Sequence, residues 1–217
     1  MENPATSVPK LAEALRELRK LDTKDYWVKQ KTQELEMLLL QCAGVWASVT
    51  ADTYYTVPSD SLPLTLSFVR RGQVPVSLKQ LSFNGQQVSV DSTMKYNTLY
   101  EHPFGVQIPS DALVSQHYWL REDASKGMYK VPSQELRGLP ENPWAFPVTA
   151  TFSIGEVDPI QIALPMPTLY RWTDPVDGER HRPLEIAPLV TANLDQPTYI
   201  FGSDAPKPVQ VRFKSFR

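Results

Sequence analysis

Ser61-Leu62-Pro63-Leu64-Thr65-Leu66-Ser67-Phe68 places Leu62, Leu64, Leu66 and Phe68 at every second position, with Pro63, Thr65 and Ser67 between them. A strand turns successive side chains to opposite faces, so this spacing predicts a strand with one apolar face. Upstream, Val45, Ala47, Val49 and Ala51 alternate with Trp46, Ser48 and Thr50, and Val57-Pro58-Ser59-Asp60-Ser61 reads as the turn between the two runs. Downstream, Asn84-Gly85 lies between 76–83 and 86–90 and predicts a tight hairpin, because both residues accept the positive φ of a two-residue turn. Further strands are predicted over 94–101 and 104–108, closed by Ile108-Pro109-Ser110-Asp111. Phe146, Val148, Ala150, Phe152 and Ile154 then resume the alternation and turn through Gly155 into Ile160, Ile162 and Leu164.

Short strands joined by Pro and Gly turns predict a mainly β fold, an antiparallel sandwich of the immunoglobulin or fibronectin type III kind over 45–172. An αα-hairpin is expected to precede it over 1–44. Its first helix, about 8–21, sets Val8, Leu11, Ala12, Leu15 and Leu18 on one side, with Ser7 as a cap and Pro9 in the first turn. The second, about 25–43, aligns Trp27 or Val28 with Leu35, Leu38, Leu39 and Cys42, and Gly44 suits its C-terminal end. Residues 173–183 read as a linker. Short β runs at 189–194, 198–201 and 208–214 follow, and about 35 residues bury too little surface to close a second sandwich. The stretch 184–217 either completes the first sandwich or begins a further β domain that the chain truncates, and the second is the favoured expectation.

Composition narrows the function classes. Of 217 residues, 41% are hydrophobic and 21% charged, which is a globular balance. A net charge of −2 without a long basic run predicts no nucleic-acid partner, and no stretch approaches the length of a membrane span. Twenty prolines against nine glycines favour edge strands and rigid loops over long helices. Cys42 is the only cysteine, which excludes an internal disulfide and a cysteine-based zinc site.

The chemistry-bearing residues gather in two clusters. Gln116-His117-Tyr118-Trp119-Leu120-Arg121-Glu122-Asp123 mixes aromatics with charges, and Tyr170-Arg171-Trp172-Thr173-Asp174 does so again. Tyr118, Trp119, Arg121, Glu122, Arg171 and Trp172 are the candidate contacts, either with a ligand or between domains. Aromatic rings beside Arg and acids can form a platform for a sugar ring or a peptide. The structural alternative makes 116–122 a strand, with Tyr118 and Leu120 on one face and Trp119 and Arg121 on the other. For 170–174 the alternative is a linker whose rings wedge between domains. Phosphate-binding glycine loops, a G-x-S-x-G elbow and an H-E-x-x-H helix are all missing from the sequence. His102, His117 and His181 lie far apart, and the pair Glu122-Asp123 reads first as a charged loop face. No cofactor or metal is expected on this chain.

Several blocks in one order are similar to the non-catalytic region of large bacterial proteins of the PIG-L/LmbE de-N-acetylase family. They are Tyr26-Trp27-Val28-Lys29-Gln30-Lys31, Cys42-Ala43-Gly44-Val45-Trp46, Val57-Pro58-Ser59-Asp60, Ser115-Gln116-His117-Tyr118-Trp119-Leu120-Arg121 and Lys126-Gly127. Gly138-Leu139-Pro140-Glu141-Asn142-Pro143, Tyr170-Arg171-Trp172-Thr173-Asp174-Pro175-Val176 and Arg182-Pro183-Leu184-Glu185-Ile186 complete the set. In that family the catalytic domain lies upstream and carries a His-Pro-Asp-Asp zinc motif; here the one His-Pro, His102-Pro103, is followed by Phe104-Gly105. No catalytic or metal residue carries over. The resemblance implies an accessory β module downstream of a zinc-dependent amino-sugar deacetylase in the same polypeptide, in a periplasmic or cell-surface setting. A carbohydrate-binding module using Tyr118, Trp119 and Trp172 is the alternative.

Overall fold

The computed structural model describes residues 3–131 and 133–216 of the chain. A 3-10 turn at Pro4–Ser7 leads into α1 (Val8–Leu18), and α2 (Tyr26–Cys42) follows after a short link. The strands are β1 (Val45–Ala51), β2 (Tyr55–Thr56), β3 (Ser61–Arg70), β4 (Val76–Phe83), β5 (Gln86–Thr93) and β6 (Leu99–Gln107). After a long irregular segment come β7 (Pro147–Ile154), β8 (Ile160–Asp174), β9 (Gly178–Pro183), β10 (Glu185–Ile186), β11 (Val190–Leu194) and β12 (Val211–Ser215).

Eight strands form one sheet in the order β5-β4-β7-β8-β1-β3-β6, with β9 also on β8. The long strand β8 joins its two halves. Residues 160–167 pair antiparallel with β7, whereas 168–170 pair parallel with Val49–Ala51 and 169–174 pair with β9. Pro165 and Pro167 fall where β8 changes neighbours. A missing N–H costs least where a strand leaves one ladder for another. The sheet curls enough for Phe83 of β4 to meet Phe104 of β6, at 5.7 Å between ring centres.

The alternation read from the sequence decides what is inside. Leu62, Leu64, Leu66 and Phe68 of β3 are buried, as are Val148, Ala150, Phe152 and Ile154 of β7 and Ile160 and Ile162 of β8. The Asn84-Gly85 hairpin forms between β4 and β5, with φ of 49° and 76° at its two turn residues. One continuous strand, Leu99–Gln107, replaces the two short ones expected over 94–108.

Both helices lie against this sheet, and Val8, Ala12, Leu15, Leu39, Leu40 and Ala43 share its hydrophobic core. The sequence placed the cap and the second apolar stripe differently. Ser7 makes no capping bond; Asn3 accepts the Ala5 N–H instead, one 3-10 turn earlier. Asp25 caps α2 by accepting the N–H groups of Trp27 and Val28. Trp27 is 65% exposed and Leu38 also faces outward, so the inner stripe runs through Val28, Leu35, Leu39 and Cys42. At the helix end Gly44 has φ +69°, and a Cβ there would sit 2.3 Å from the Gly72 nitrogen. Glycine is required at that crossing for both backbone angle and space.

Two further readings change with the structure. Residues 173–183, expected as a linker, contain the end of β8 and all of β9, because Leu169–Asp174 finds a full antiparallel partner in 178–183. Beyond them, Leu184 and Ile186 are buried, and β10 pairs parallel with β2. β11 and β12 pair with each other in a sheet built wholly from 184–217, and the run expected at 198–201 is irregular.

Candidate functional site

The segment 109–146 has no strand among its described residues, and it folds by side-chain bonds to backbone. The strand reading of 116–122 fails because Tyr118–Leu120 is a single 3-10 turn, so the alternation of faces does not apply. Four hydrogen bonds replace the ladder. The Tyr118 N–H donates to Asn142 Oδ1 at 2.8 Å, and Asn142 Nδ2 donates to the Gln116 carbonyl at 3.0 Å. Gln116 Nε2 donates to the Leu120 carbonyl at 2.7 Å, and the Tyr118 hydroxyl to the Leu139 carbonyl at 2.9 Å. A loop without ladder partners must satisfy its buried polar backbone in this manner. Ser115 ties the same loop to β10. Its N–H donates to the Ile186 carbonyl, and its hydroxyl accepts the Ile186 N–H, both at 2.8 Å.

These ties leave an open cleft of about 890 Å³ between 109–121, 136–146 and 183–186. Tyr118 is only 7% exposed and forms part of the floor with Phe146. Trp144 is 46% exposed, in contrast to the buried Tyr118 and Phe146 of the same lining. Asp111, Glu141, Glu185 and Arg121 bring charge to the walls. Glu185 is engaged with Arg182 at 2.8 Å, whereas Asp111, Glu141 and Arg121 make no ion pair among the described residues. Pro140 and Pro143 flank the Glu141-Asn142 pair and, with Gly138 at φ +85°, fix the turn that carries it.

The six candidate residues do not converge. Tyr118 and Arg121 line the cleft. Trp119 is half-buried, stacks on His117 at 4.6 Å and stands edge-on to Tyr118 at 4.8 Å; Glu122 lies exposed outside the lining. Arg171 and Trp172 belong to the β8–β9 hairpin. There Arg171 reaches Glu179 at 3.5 Å and donates to Ser48 Oγ at 3.3 Å, and Trp172 stacks with Tyr170 at 5.7 Å. Tyr170 continues to Tyr54 at 5.9 Å, and the Arg182 guanidinium sits 5.0 Å over the Tyr54 ring. At the tip of this hairpin Asp174 accepts the N–H groups of Asp177 at 3.0 Å and Val176 at 2.8 Å, which holds its carboxyl below the usual aspartate range.

Asn142 and Trp144 were not singled out by sequence reasoning. Asn142 stood inside a motif block, and an asparagine between prolines in a turn is itself a signal of side-chain-to-backbone bonding. Trp144 had no such marker. Among the described residues no three His, Cys, Asp or Glu side chains are grouped to hold a metal ion, and no helix is long and apolar enough to cross a membrane.

No family model matches this chain, and neither does any curated protein. Among solved structures it is similar to Spo0M, the sporulation control protein from Bacillus subtilis, with 9% identity and a TM-score of 0.31. That likeness covers 58% of this chain and 49% of the other, and is too slight to carry fold or function across.

Proposed function

We propose that this chain is a non-catalytic accessory module of a larger amino-sugar deacetylase-like protein of the PIG-L/LmbE kind. In this reading its curled sheet is an immunoglobulin-like or fibronectin III-like sandwich, the helical hairpin braces it, and the module packs against and positions an upstream catalytic domain of the same polypeptide. Beyond Leu184, which joins the first core, the β11–β12 pair starts a further β domain, for which its exposed apolar face is the support.

One observation carries the reading. Three separate blocks that resemble the family's downstream region, 115–121, 138–143 and 182–186, are cross-bonded around a single cleft. The experiment is a nuclear magnetic resonance titration of the labelled chain with a separately expressed PIG-L/LmbE-type deacetylase domain, which detects the weak contacts usual between tethered domains. Shifts confined to one continuous face are expected. A spectrum unchanged at saturating concentration refutes the module.

Glycan contact is the second reading, and a specific observation favours it: Trp144 presents an accessible ring inside the cleft. Tyr118, Trp119 and Trp172 are less suited to form one platform, since the first is buried and the last stands on the β8–β9 hairpin.

A further inference from the structure

We infer that the Trp144 cleft takes a cationic sugar, a pyranose chain carrying free amino groups. The inference deepens the glycan-contact reading and rests on it. Three properties of the cleft meet in that ligand class.

The first is the ring. Trp144 is nearly half exposed within the cleft, whereas Tyr118 and Phe146 of the same lining are buried, and a pyranose offers the C–H face that an indole accepts. The second is charge. Three carboxylates, Asp111, Glu141 and Glu185, stand on the walls against one guanidinium, Arg121. Glu185 is neutralised by Arg182 from outside, which leaves Asp111 and Glu141 without an ion-pair partner among the described residues. A protonated amine on the ligand complements that excess, and a carboxylate or phosphate opposes it. The third is rigidity. Asn142 spends both ends of its amide on the Tyr118 N–H and the Gln116 carbonyl, and prolines lie on either side of the Glu141-Asn142 pair. Glu141 and Trp144 therefore stand on a turn that is set before any ligand arrives, which lowers the ordering cost of binding. Arg121, without an ion-pair partner among the described residues, stands on the opposite loop as a donor for ring or bridging oxygens.

The test is calorimetric titration of the whole chain at pH 6, where a primary amine is protonated. Three probes are used: a β-1,4-linked glucosamine tetramer, the N-acetylglucosamine tetramer, and tetralysine. The glucosamine tetramer is expected to bind about tenfold more tightly than the acetylated one, and less tightly as salt is raised. Trp144→Ala is expected to weaken it about tenfold, and the double variant Asp111→Asn/Glu141→Gln about fivefold. Trp27→Ala, on an exposed helix start outside the cleft, is the control and should leave binding unchanged. Equal affinity for both tetramers overturns the inference, as does no binding of the glucosamine tetramer. Tetralysine binding that is indifferent to Trp144→Ala overturns it as well, since the cleft then reads charge alone. If these titrations fail while the deacetylase domain still shifts the spectrum, the accessory module stands and the cationic-sugar cleft falls.

Discussion

β3 and the β11–β12 pair carry the same alternating pattern and meet opposite fates. In β3, Leu62, Leu64, Leu66 and Phe68 share a face that is wholly buried, with Leu66 at 0% exposure. In the terminal pair the register sets Val190 opposite Ser215, Ala192 opposite Phe213 and Leu194 opposite Val211. Residues directly opposite lie on one face, so Val190, Ala192, Leu194, Val211 and Phe213 form a single apolar surface, backed by Thr191, Asn193, Arg212 and Lys214. That surface is open to solvent, and Phe213 is 74% exposed. Periodicity defines which side chains travel together. Burial depends on whether another layer of structure arrives to cover them, and a two-stranded sheet alone is marginal in water.

Substitutions can break this comparison in order of size. Leu66→Ala should lower stability by about 2–5 kcal/mol in denaturant unfolding, because the curled sheet cannot collapse onto the space left behind. A loss under about 1 kcal/mol would mean that β3 is not the centre of the core. Asn142→Ala should cost about 1–3 kcal/mol, since the Tyr118 N–H and the Gln116 carbonyl lose their partner together. Its structural readout is loosening of 116–142 in hydrogen exchange with the sheet amides unchanged.

The terminal pair should respond little. Phe213→Ser is expected to change stability by no more than about 0.5 kcal/mol, and to improve solubility by removing an exposed ring from an open face. A large loss would show that this face is covered in solution. The smallest effect is the pH response of the β8–β9 tip. Asp174 has its folded pKa depressed by the Asp177 and Val176 N–H groups. Its stabilising contribution is therefore present above the ordinary aspartate pKa and fades as pH falls through the folded value. In a nuclear magnetic resonance titration the Val176 and Asp177 amides should shift with that low midpoint, and Asp174→Asn should abolish the transition.

The strands were largely legible because each needs only its own spacing. The alternation at 62–68, 146–154 and 160–164, the Asn84-Gly85 turn and the Gly44 helix end all follow from local geometry. The second helix was less so. Val28 and Trp27 sit on adjacent faces, and which one is buried depends on how α2 leans on the sheet. The cleft was least legible. Tyr118 and Asn142 are 24 residues apart and meet through side-chain-to-backbone bonds, for which no period exists. Trp119 and Trp172 drew attention by composition, yet the accessible ring in the cleft belongs to Trp144, exposed only because of how 136–146 folds back on 115–121.

Taken alone, the residues determined a mainly β chain with two helices ahead of it, the apolar faces of β3, β7 and the first half of β8, the principal turns and the motif blocks. Tertiary structure decided that β8 serves two halves of one curled sheet, that 173–183 is a hairpin arm, that Leu184 joins the first core, and that three distant blocks wall one cleft. The physical reason is range. Backbone geometry and side-chain period act within a few residues, while the pairing of β8 with β1 and the bonds of Asn142 depend on segments brought together only when the core closes.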